Sequence, residues 1–392
     1  MNSSKGATIS SIELFPANVS YRVPEISSVV FRRGVTAILV RLTDSEGRTG
    51  WGEACVGASS EAILGALISM KPFVAGQEPS KRDILRDRVF HRGLWDYQPM
   101  TGSYAWAAYD MALLDIESQV REKAAWEILG DLERNTVDYF YYLSRGSDDW
   151  LHEQCRTIVS KGYSVAYLKV GLDRNEETRL LQLLRSALGP KIAIRIDANG
   201  AWSPQESVAI LTRWQEEFGI DFCEQPTAPY PSSAMQFVRK NGRTRLAANE
   251  GMGPKENADM LIRQDVADVY TFSPYWVGGI SNFLELANVA ASFNRLTCRH
   301  THGELGIAST AFQHVALVTK ALDRGNQQTA AELEFDILED PLPIKTGPQW
   351  GVLSAHGLGI RVDKDSLDRA VAHYSRHGQF LPFDPKAFLG RT

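Results

Sequence analysis

From residue 136 onward, short apolar stretches alternate with amphipathic ones. The apolar stretches have the length of strands, and eight can be read along this part of the chain: "TVDYFYYL", "SVAYLKVG", "KIAIRIDAN", "DFCEQP", "RLAANE", "VADVYTFSP", "RLTCRHTHG" and "TAAELEF". Alternation of strands with helices favours a parallel sheet, because a crossover between parallel strands needs a connection of helix length. Eight strands over about 200 residues fit a closed (β/α)8 barrel, with a doubly wound open sheet as the alternative.

The first third of the chain mixes element types. The stretch "TAILVRLTDSEGRTGWGEA" predicts two strands joined by a turn at residues 44–47. Helices are expected over residues 59–72 and 80–91, and one long helix is expected to run from "YAWAAYDM" to Gly130. The predicted organisation is therefore an α+β domain over residues 1–135, a barrel over 136–345 and a C-terminal segment, 346–392, that ends in a helix and packs back on the first domain.

Composition and charge argue against several classes of function. The chain of 392 residues has a formal net charge of −5 and contains no basic block, which argues against nucleic acid and anionic membranes as partners. It has no long apolar run, and its first residues lack the apolar core of a signal peptide. Its four cysteines are widely spaced. A cytoplasmic location with free thiols is therefore expected. No glycine-rich phosphate motif follows a strand, which weakens a nucleotide-binding interpretation.

Polar side chains stand at the ends of most of the predicted strands. They are Tyr167, Lys169, Asp197, Glu224, Asn249, Glu250, Ser273, His300, His302, Glu332 and Glu334. In a barrel of this kind, functional groups lie at the carboxyl ends of the strands. Residues two apart on a strand share a face, so the pairs on the second, seventh and eighth strands are expected to point into the barrel.

Three successive strand ends offer oxygen ligands. Asp197 and Glu224 end the third and fourth strands, and Asn249 and Glu250 end the fifth. A lone buried carboxylate is costly, and any one of these residues could equally be a surface carboxylate in a loop. Together they could converge on a hard divalent cation, of which Mg²⁺ fits oxygen ligands best. The sequence therefore predicts a magnesium site.

At this point the chain resembles a known family. The motifs "KVG", "RIDANGAW", "CEQP", "LAANEG" and "WVGG", with the histidine-bearing strand, resemble the enolase superfamily in its mandelate racemase and glucarate dehydratase branch. "GWGEA" and "AAYDMALLDIESQ" resemble the capping domain of that family, and "GLGIRVDKD" its C-terminal return, so the resemblance covers nearly the whole chain. It implies a modified barrel with a capping domain, an essential Mg²⁺, removal of a proton next to a substrate carboxylate and an even-numbered homo-oligomer.

The resemblance matches Asp197 and Glu224 to the first two metal ligands and leaves the third open. Asn249 stands where glucarate dehydratases place an asparagine, whereas Glu250 fits the other acid-sugar dehydratases. Adjacent strand residues point to opposite faces, so only one of them is expected to coordinate. Glu250 is preferred, because an anionic ligand holds Mg²⁺ more strongly.

Two strands depart from the pattern of the family. The usual Lys-x-Lys of the second strand is here Tyr167-Leu168-Lys169, so the resemblance implies Lys169 as the base. Tyr167 could bind substrate, act as an acid or base, or be an interior tyrosine with a satisfied hydroxyl. On the sixth strand, Ser273 replaces both the aspartate of the racemases and the lysine of the lactonising enzymes.

The resemblance also implies roles for the last two strands and for the cap. His300 matches the histidine of glucarate dehydratases and His302 that of mandelate racemase, and one of them is expected to be catalytic.

Either Glu332 or Glu334 matches the acid of the eighth strand that holds the substrate. Arg22 and Arg32 lie in a capping loop, where arginine suits recognition of a carboxylate, although surface arginines are common.

These residues predict a Mg²⁺-dependent lyase, a dehydratase of an aldonate or aldarate. Lys169 would remove the α-proton, and His300 or His302 would protonate the departing β-hydroxyl, giving a 2-keto-3-deoxy acid. The alternative is a racemase, epimerase or cycloisomerase that acts through the same enediolate. Dehydration is preferred because the second base that a racemase needs lacks its aspartate partner. A non-catalytic metal-binding barrel is the third hypothesis.

Overall fold

The computed structural model describes residues 6–57, 59–92, 100–301 and 303–381, without the side chains of residues 91 and 92. The strands are β1 (Ile9–Ile26), β2 (Phe31–Asp44), β3 (Thr49–Cys55), β4 (Thr136–Asp138), β5 (Tyr141–Leu143), β6 (Val165–Lys169), β7 (Ala193–Asp197), β8 (Ile220–Glu224), β9 (Leu246–Ala248), β10 (Val269–Phe272), β11 (Leu296–Arg299) and β12 (Gln349–Gly351).

The helices are α1 (Ser60–Val74), α2 (Arg82–Arg92), α3 (Thr101–Val120), α4 (Trp126–Leu129), α5 (Asp148–Lys161), α6 (Arg174–Leu188), α7 (Pro204–Phe218), α8 (Ser233–Asn241), α9 (Lys255–Arg263), α10 (Pro274–Val277), α11 (Ile280–Ser292), α12 (Gly306–Val318) and α13 (Lys364–His377). Short 3₁₀ helices lie at Pro79–Lys81, Ala330–Glu332 and Pro343–Lys345. In the described part of the chain, no helix is both long and apolar enough to cross a membrane.

The N-terminal part is an antiparallel sheet in the order β1-β2-β3, with α3 packed against β3. The two predicted strands are β2 and β3, and the predicted helices over 59–72 and 80–91 correspond to α1 and α2. Gly52 makes the contact with α3 possible, because a Cβ there would collide with the backbone of Ala108. The expected α+β cap is therefore confirmed.

The long helix predicted to end at Gly130 is in fact two helices. α3 ends at Val120, and Glu122 takes a left-handed backbone conformation with φ 54°. The chain then bends so that the amide of Ala125 donates to the carbonyl of Gly357 at 2.9 Å, before α4 begins. This tertiary contact interrupts a pattern that is locally helical.

Seven parallel strands form the second sheet, in the order β5 to β11. The predicted barrel class is confirmed as a modified TIM barrel under an α+β cap. Three of its helices, α5, α6 and α7, begin at a side chain that caps the first turn and end at a glycine. At α7, for example, Ser203 and Glu206 form a capping box, Pro204 takes the first turn, and Gly219 ends the helix in a left-handed conformation.

The first predicted barrel strand is divided. β4 pairs antiparallel with β12, outside the barrel, and only β5 joins the parallel sheet beside β6. The predicted eighth strand, "TAAELEF", is wrong, because this segment contains the 3₁₀ helix Ala330–Glu332.

Residues 321–327 occupy the eighth side of the barrel instead. Isolated parallel bridges join Leu322 to Thr297 of β11 and Asn326 to Tyr139, next to β5. The amide of Gln327 donates to the carbonyl of Arg299 at 3.1 Å. The segment reads "ALDRGNQ", which lacks the apolar pattern of a strand because its polar side chains make hydrogen bonds inside the protein.

The cap reaches the carboxyl ends of the barrel strands. Tyr21 of β1 forms an antiparallel bridge with Leu333, and the Ser28 hydroxyl donates to the carbonyl of Ala198 at 3.0 Å, one residue past β7. The C-terminal segment contacts the cap: α13 packs against β1, and the Tyr374 hydroxyl lies 2.8 Å from that of Ser60.

Candidate active site

Two side chains of β6 meet one carboxylate at the end of β7. The Tyr167 hydroxyl donates to Oδ2 of Asp197 at 2.7 Å, and Nζ of Lys169 donates to the same oxygen at 2.5 Å. The parallel register, which pairs Lys169 with Asp197 and Asp197 with Glu224, fixes this arrangement. Tyr167 is held from behind by Phe140, with ring centroids 4.4 Å apart.

Glu224 and Glu250 lie beside Asp197, and amide side chains hold them. Nε2 of Gln327 donates to both oxygens of Glu224, at 3.1 and 3.0 Å. Nδ2 of Asn199 donates to Oε1 of Glu250 at 2.8 Å and to Oδ2 of Asp197 at 3.2 Å. Asn199 therefore links the carboxylates of two strand ends.

The electrostatics of this group are dominated by negative charge. Burial, together with the charge of Asp197, raises the pKa of Glu224 well above its ordinary value and that of Glu250 to about 7. Burial by itself lowers the pKa of Lys169, but the charges of Asp197, Glu25 and Glu224 outweigh it and raise this pKa overall. The site is therefore short of positive charge.

This chemistry fits a hard divalent cation. Asp197 and Glu224 are buried carboxylates, and Glu250 is half-buried, with its Oε2 buried and without a hydrogen-bond partner. An oxygen-only donor set suits Mg²⁺. As the side chains stand, no three His, Cys, Asp or Glu residues within the described ranges lie close enough together to hold an ion. Hydrogen bonds from Lys169 and Asn199 occupy oxygens of this group instead.

Asn249 is oriented away from the carboxylates. Its Nδ2 donates to the carbonyl of Thr271 on β10 at 2.9 Å, and its backbone amide donates to Oε1 of Gln225 at 2.9 Å. Of the two candidates for the third ligand, the structure brings Glu250, rather than Asn249, to Asp197.

His300 follows β11, across the barrel from β6. Its ring packs on Trp276, with centroids 4.2 Å apart, and the Trp276 indole donates to the Tyr104 hydroxyl of the capping helix α3 at 2.6 Å. Ser273 is buried at the end of β10 and precedes α10. His302, the other histidine candidate, lies outside the described residues.

The two glutamates predicted on the eighth strand do not share a face, because the segment is not a strand. Glu332 lines a cavity under the cap, whereas Glu334 is exposed. Burial and the charge of Glu25 raise the pKa of Glu332 to about 7, against the opposing charge of Arg22. Arg22 is exposed, and Arg32 is buried and ion-paired with Glu25 at 3.5 Å.

Sequence reasoning missed four residues of this site: Asn199, Gln327, Glu25 and Tyr142. Asn199 left a usable signal, since an asparagine followed by glycine after a strand often takes the left-handed conformation it has here, with φ 45°. The other three residues left no such signal in the sequence. Gln327 belongs to the closing segment of the barrel, and the remaining two reach the site through contacts between the cap and the barrel.

Comparison of this chain with known proteins shows two domain families that together match most of its length. Residues 10–130 match the mandelate racemase/muconate lactonizing enzyme N-terminal domain, and residues 150–366 match the enolase C-terminal domain-like family. The N-succinyl-L-Arg/Lys racemase of Bacillus cereus is 24% identical over 92% of this chain and 96% of its own length.

Two solved structures show the same fold. An isomerase from Streptomyces coelicolor A3(2) has a TM-score of 0.83 at 26% identity, covering 95% of this chain and 100% of its own. A dipeptide epimerase from Enterococcus faecalis V583, solved with Mg and the dipeptide L-Leu-L-Tyr, has a TM-score of 0.82 at 20% identity, covering 90% and 99%. The chain belongs to the enolase superfamily, with the N-terminal domain of the mandelate racemase and muconate lactonizing enzymes.

Proposed function

We propose that this protein is a Mg²⁺-dependent isomerase, a racemase, epimerase or cycloisomerase, that removes the proton from the carbon next to a substrate carboxylate. The observation that carries the proposal is the placement of Lys169 and His300 on strands across the barrel, with buried carboxylates on the strand ends between them. The named relatives support an isomerase rather than the dehydratase that the sequence first suggested.

Asp197, Glu224 and Glu250 would hold the cation. A divalent cation bound there supplies positive charge that stabilises the enediolate formed when the α-proton leaves. Magnesium in the Enterococcus faecalis dipeptide epimerase supports this choice of metal. Asn199 and Gln327 would orient the ligands, because each donates to a carboxylate of the group.

Lys169 would take the α-proton on one face of the substrate. With Nζ bound to Asp197 and its pKa raised, the amine holds its proton as long as the surrounding carboxylates are uncompensated. Compensation of that negative charge would free the amine to act as a base. Tyr167 would keep Asp197 in place through the second hydrogen bond to Oδ2.

His300 would deliver a proton to the opposite face. Packing on Trp276 fixes the plane of the imidazole, and the bond from that indole to Tyr104 ties the arrangement to the cap. A racemase or epimerase needs two such groups on opposite sides of one carbon, each able to give and take a proton.

Dehydration remains a second candidate because of Ser273. Ser273 directly follows β10, at the position where the resemblance places an aspartate in the racemases. A dehydratase needs one base and one acid, whereas a racemase needs two bases, so this serine fits dehydration.

The test is proton exchange in heavy water with Mg²⁺ present. N-acyl amino acids, dipeptides and acid sugars are incubated with the protein, and NMR follows loss of the α-hydrogen signal, inversion of configuration and 2-keto acid formation. Exchange with inversion and without keto acid supports an isomerase. Keto acid formation assigns a dehydratase instead, and the absence of exchange from every compound would contradict both.

A further inference from the structure

Gln327 contacts two different parts of the candidate active site through one side chain. Its Nε2 donates to both oxygens of Glu224, at 3.1 and 3.0 Å, and its Oε1 accepts from the amide of Thr301 at 3.3 Å. Glu224 ends β8, whereas Thr301 directly follows His300, in a stretch that we call the histidine segment, residues 299–304. One planar amide therefore joins a proposed metal ligand to the segment that carries the histidine.

The main chain of Gln327 is fixed independently of that amide. Its N–H donates to the carbonyl of Arg299 at 3.1 Å, and its carbonyl accepts from Nη1 of Arg299 at 3.4 Å. The side chain of the preceding residue, Asn326, accepts from the amide of Arg299 at 2.9 Å. A displacement of the Glu224 carboxylate would therefore be followed by the side chain of Gln327 rather than by its main chain.

The hydrogen bonds that follow His300 are long. The bond from the Thr301 amide to Gln327 and the bond from the Gly303 amide to the Thr301 hydroxyl each measure 3.3 Å. N–H···O bonds in proteins are typically about 2.9–3.0 Å. The amide of His300 itself donates to the carbonyl of Phe272 at 2.9 Å. The histidine segment is therefore held firmly up to His300 and more loosely from Thr301 onward.

We propose that Gln327 is a positioning residue that couples cation binding at Glu224 to the order of the histidine segment. A cation in the proposed site would hold the Glu224 carboxylate in one orientation, and Nε2 of Gln327 would be held with it. Oε1 lies in the same rigid plane as Nε2, so this restraint would shorten and stabilise the bond to the Thr301 amide. Coupling between two sites is reciprocal, so loss of the bridge should also weaken binding of the cation.

The coupling adds a condition to the chemistry of the site. The inference rests on the proposed function, because it takes Glu224 as a metal ligand and His300 as the group that moves a proton on one face of the substrate. Under this coupling, the histidine segment is fully ordered only when the cation is bound. Proton transfer at His300 would therefore begin only after the group that stabilises the enediolate is in place.

Hydrogen–deuterium exchange of the full chain, without Mg²⁺ and at saturating Mg²⁺, tests the coupling. In the wild type, Mg²⁺ is expected to slow amide exchange in residues 299–304 by roughly 5-fold or more, as for typical coupling between sites. In Gln327→Met, which removes both side-chain bonds, saturating Mg²⁺ should slow it by less than about 2-fold, because the coupling is lost. Calorimetric titration sets the saturating concentration for each variant and should show Mg²⁺ binding to Gln327→Met weakened by roughly 10–100-fold.

The adjacent residue supplies a matched control. Gln328 is also a buried glutamine, but its recorded bonds are to the main chain of Phe140 and of Ala331, at 3.4 Å each. Gln328→Met should therefore keep the full effect of Mg²⁺ on residues 299–304. Gln327→Asn keeps the amide but is one methylene shorter, so it cannot bridge both partners and should lose the coupling. It carries the test if circular dichroism shows that Gln327→Met does not fold.

The remaining outcomes contradict the coupling or the proposed function separately. An undiminished effect of Mg²⁺ in the Gln327 variants would mean that this residue only orients Glu224, and no effect in the wild type would mean that the two parts are not linked; either result overturns the inference. Faster exchange by the same factor with and without Mg²⁺ would show a role in folding alone and would also overturn it. Coupling without α-proton exchange from any substrate would contradict only the proposed function, and α-proton exchange without coupling would contradict only this inference.

Discussion

One oxygen atom, Oδ2 of Asp197, accepts hydrogen bonds from both Tyr167 and Lys169. Members of the family with Lys-x-Lys would place two cations on this strand, whereas this chain supplies one cation and one neutral hydroxyl. The neutral donor holds the carboxylate without cancelling its charge. Asp197 therefore keeps its negative charge and can bind a cation. Lys169 keeps its proton until a cation neutralises that charge.

Lys169→Met tests the role of the amine at this position. The substitution keeps an apolar stem of similar length, so the fold and Mg²⁺ binding should survive, while α-proton exchange should fall by roughly the 10²–10⁴-fold typical of a lost general base. Tyr167→Phe removes only the second bond to Asp197 and should cost less. Exchange rates in heavy water, with circular dichroism as the folding check, measure both. If the tyrosine variant loses exchange and the lysine variant keeps it, Tyr167 is the base.

Glu250 and Asn249 are adjacent but should affect different properties. Glu250→Gln removes one of three anionic ligands and is expected to weaken Mg²⁺ binding by at least the roughly 10–100-fold seen when residues that merely orient metal ligands are changed. Asn249→Ala breaks the bond to the Thr271 carbonyl, so it should lower the melting temperature with a smaller effect on Mg²⁺. Calorimetric titration with Mg²⁺ ranks the two variants. The opposite order would assign Asn249 as the ligand.

At the scale of elements, closure of the barrel depends on residues 321–327 and on one buried cation. Nε of Arg195 on β7 donates to Asp221 at 2.8 Å, and its terminal nitrogens donate to Asp323 at 3.1 Å and to the carbonyl of Gly325 at 3.0 Å. The guanidinium packs over the ring of Phe222, 4.3 Å from its centroid. Residues 321–327, which make few regular strand contacts, are therefore held in place by the ion pair and the hydrogen bond of Arg195.

Arg195→Met should therefore destabilise the closed barrel. It leaves Asp323 without its buried partner, and breaking such a pair costs about 3–5 kcal/mol. Urea unfolding measures the loss, and hydrogen exchange should locate it in residues 321–327. Arg213→Met is the matched control, because Arg213 is exposed and pairs with Glu217 on the same helix, and it should cost less than about 1 kcal/mol. Equal losses in the two variants would show that Arg195 does not fix the segment.

Over the whole molecule, one of the contacts that join the cap to the barrel is made by a buried carboxylate. Glu53 of β3 accepts from the amide of Leu305 at 2.6 Å and from that of Ala308 at 2.9 Å, at the start of α12. These bonds satisfy donors that a helix N-terminus leaves free, and the helix dipole favours a negative charge there. Burial is the larger effect, and it raises the pKa of Glu53 to about 7.

This shift predicts how stability depends on pH. Between the ordinary pKa of 4.5 and about 7, folded Glu53 keeps a proton that the unfolded chain releases. The contribution of this residue to the free energy of unfolding is therefore fully present below 4.5 and is lost as pH rises to about 7, by up to about 1.4 kcal/mol per pH unit.

Glu53→Gln removes that titration, so its stability should fall less steeply over this window than that of the wild type. Urea unfolding at several pH values compares the two slopes. Parallel slopes would mean that Glu53 stays ionised in the folded protein.

Elements whose signals are local could be predicted from the amino-acid sequence. The alternation of apolar and amphipathic segments predicted the barrel, and the carboxylates of Asp197, Glu224 and Glu250 could be recognised because each follows its own strand. Strand and helix patterns repeat over a few residues, so they can be read without knowing what lies across the molecule.

The tertiary structure was needed to show how distant segments meet. It placed residues 321–327, rather than "TAAELEF", on the eighth side of the barrel, because Arg195 and backbone bonds to β11 fix a segment that has no strand pattern. It also brought Glu53 to Leu305, 252 positions away, and Glu25 to Glu332. A contact between residues far apart in the chain leaves no periodic pattern in the sequence, since it depends on which elements pack against one another.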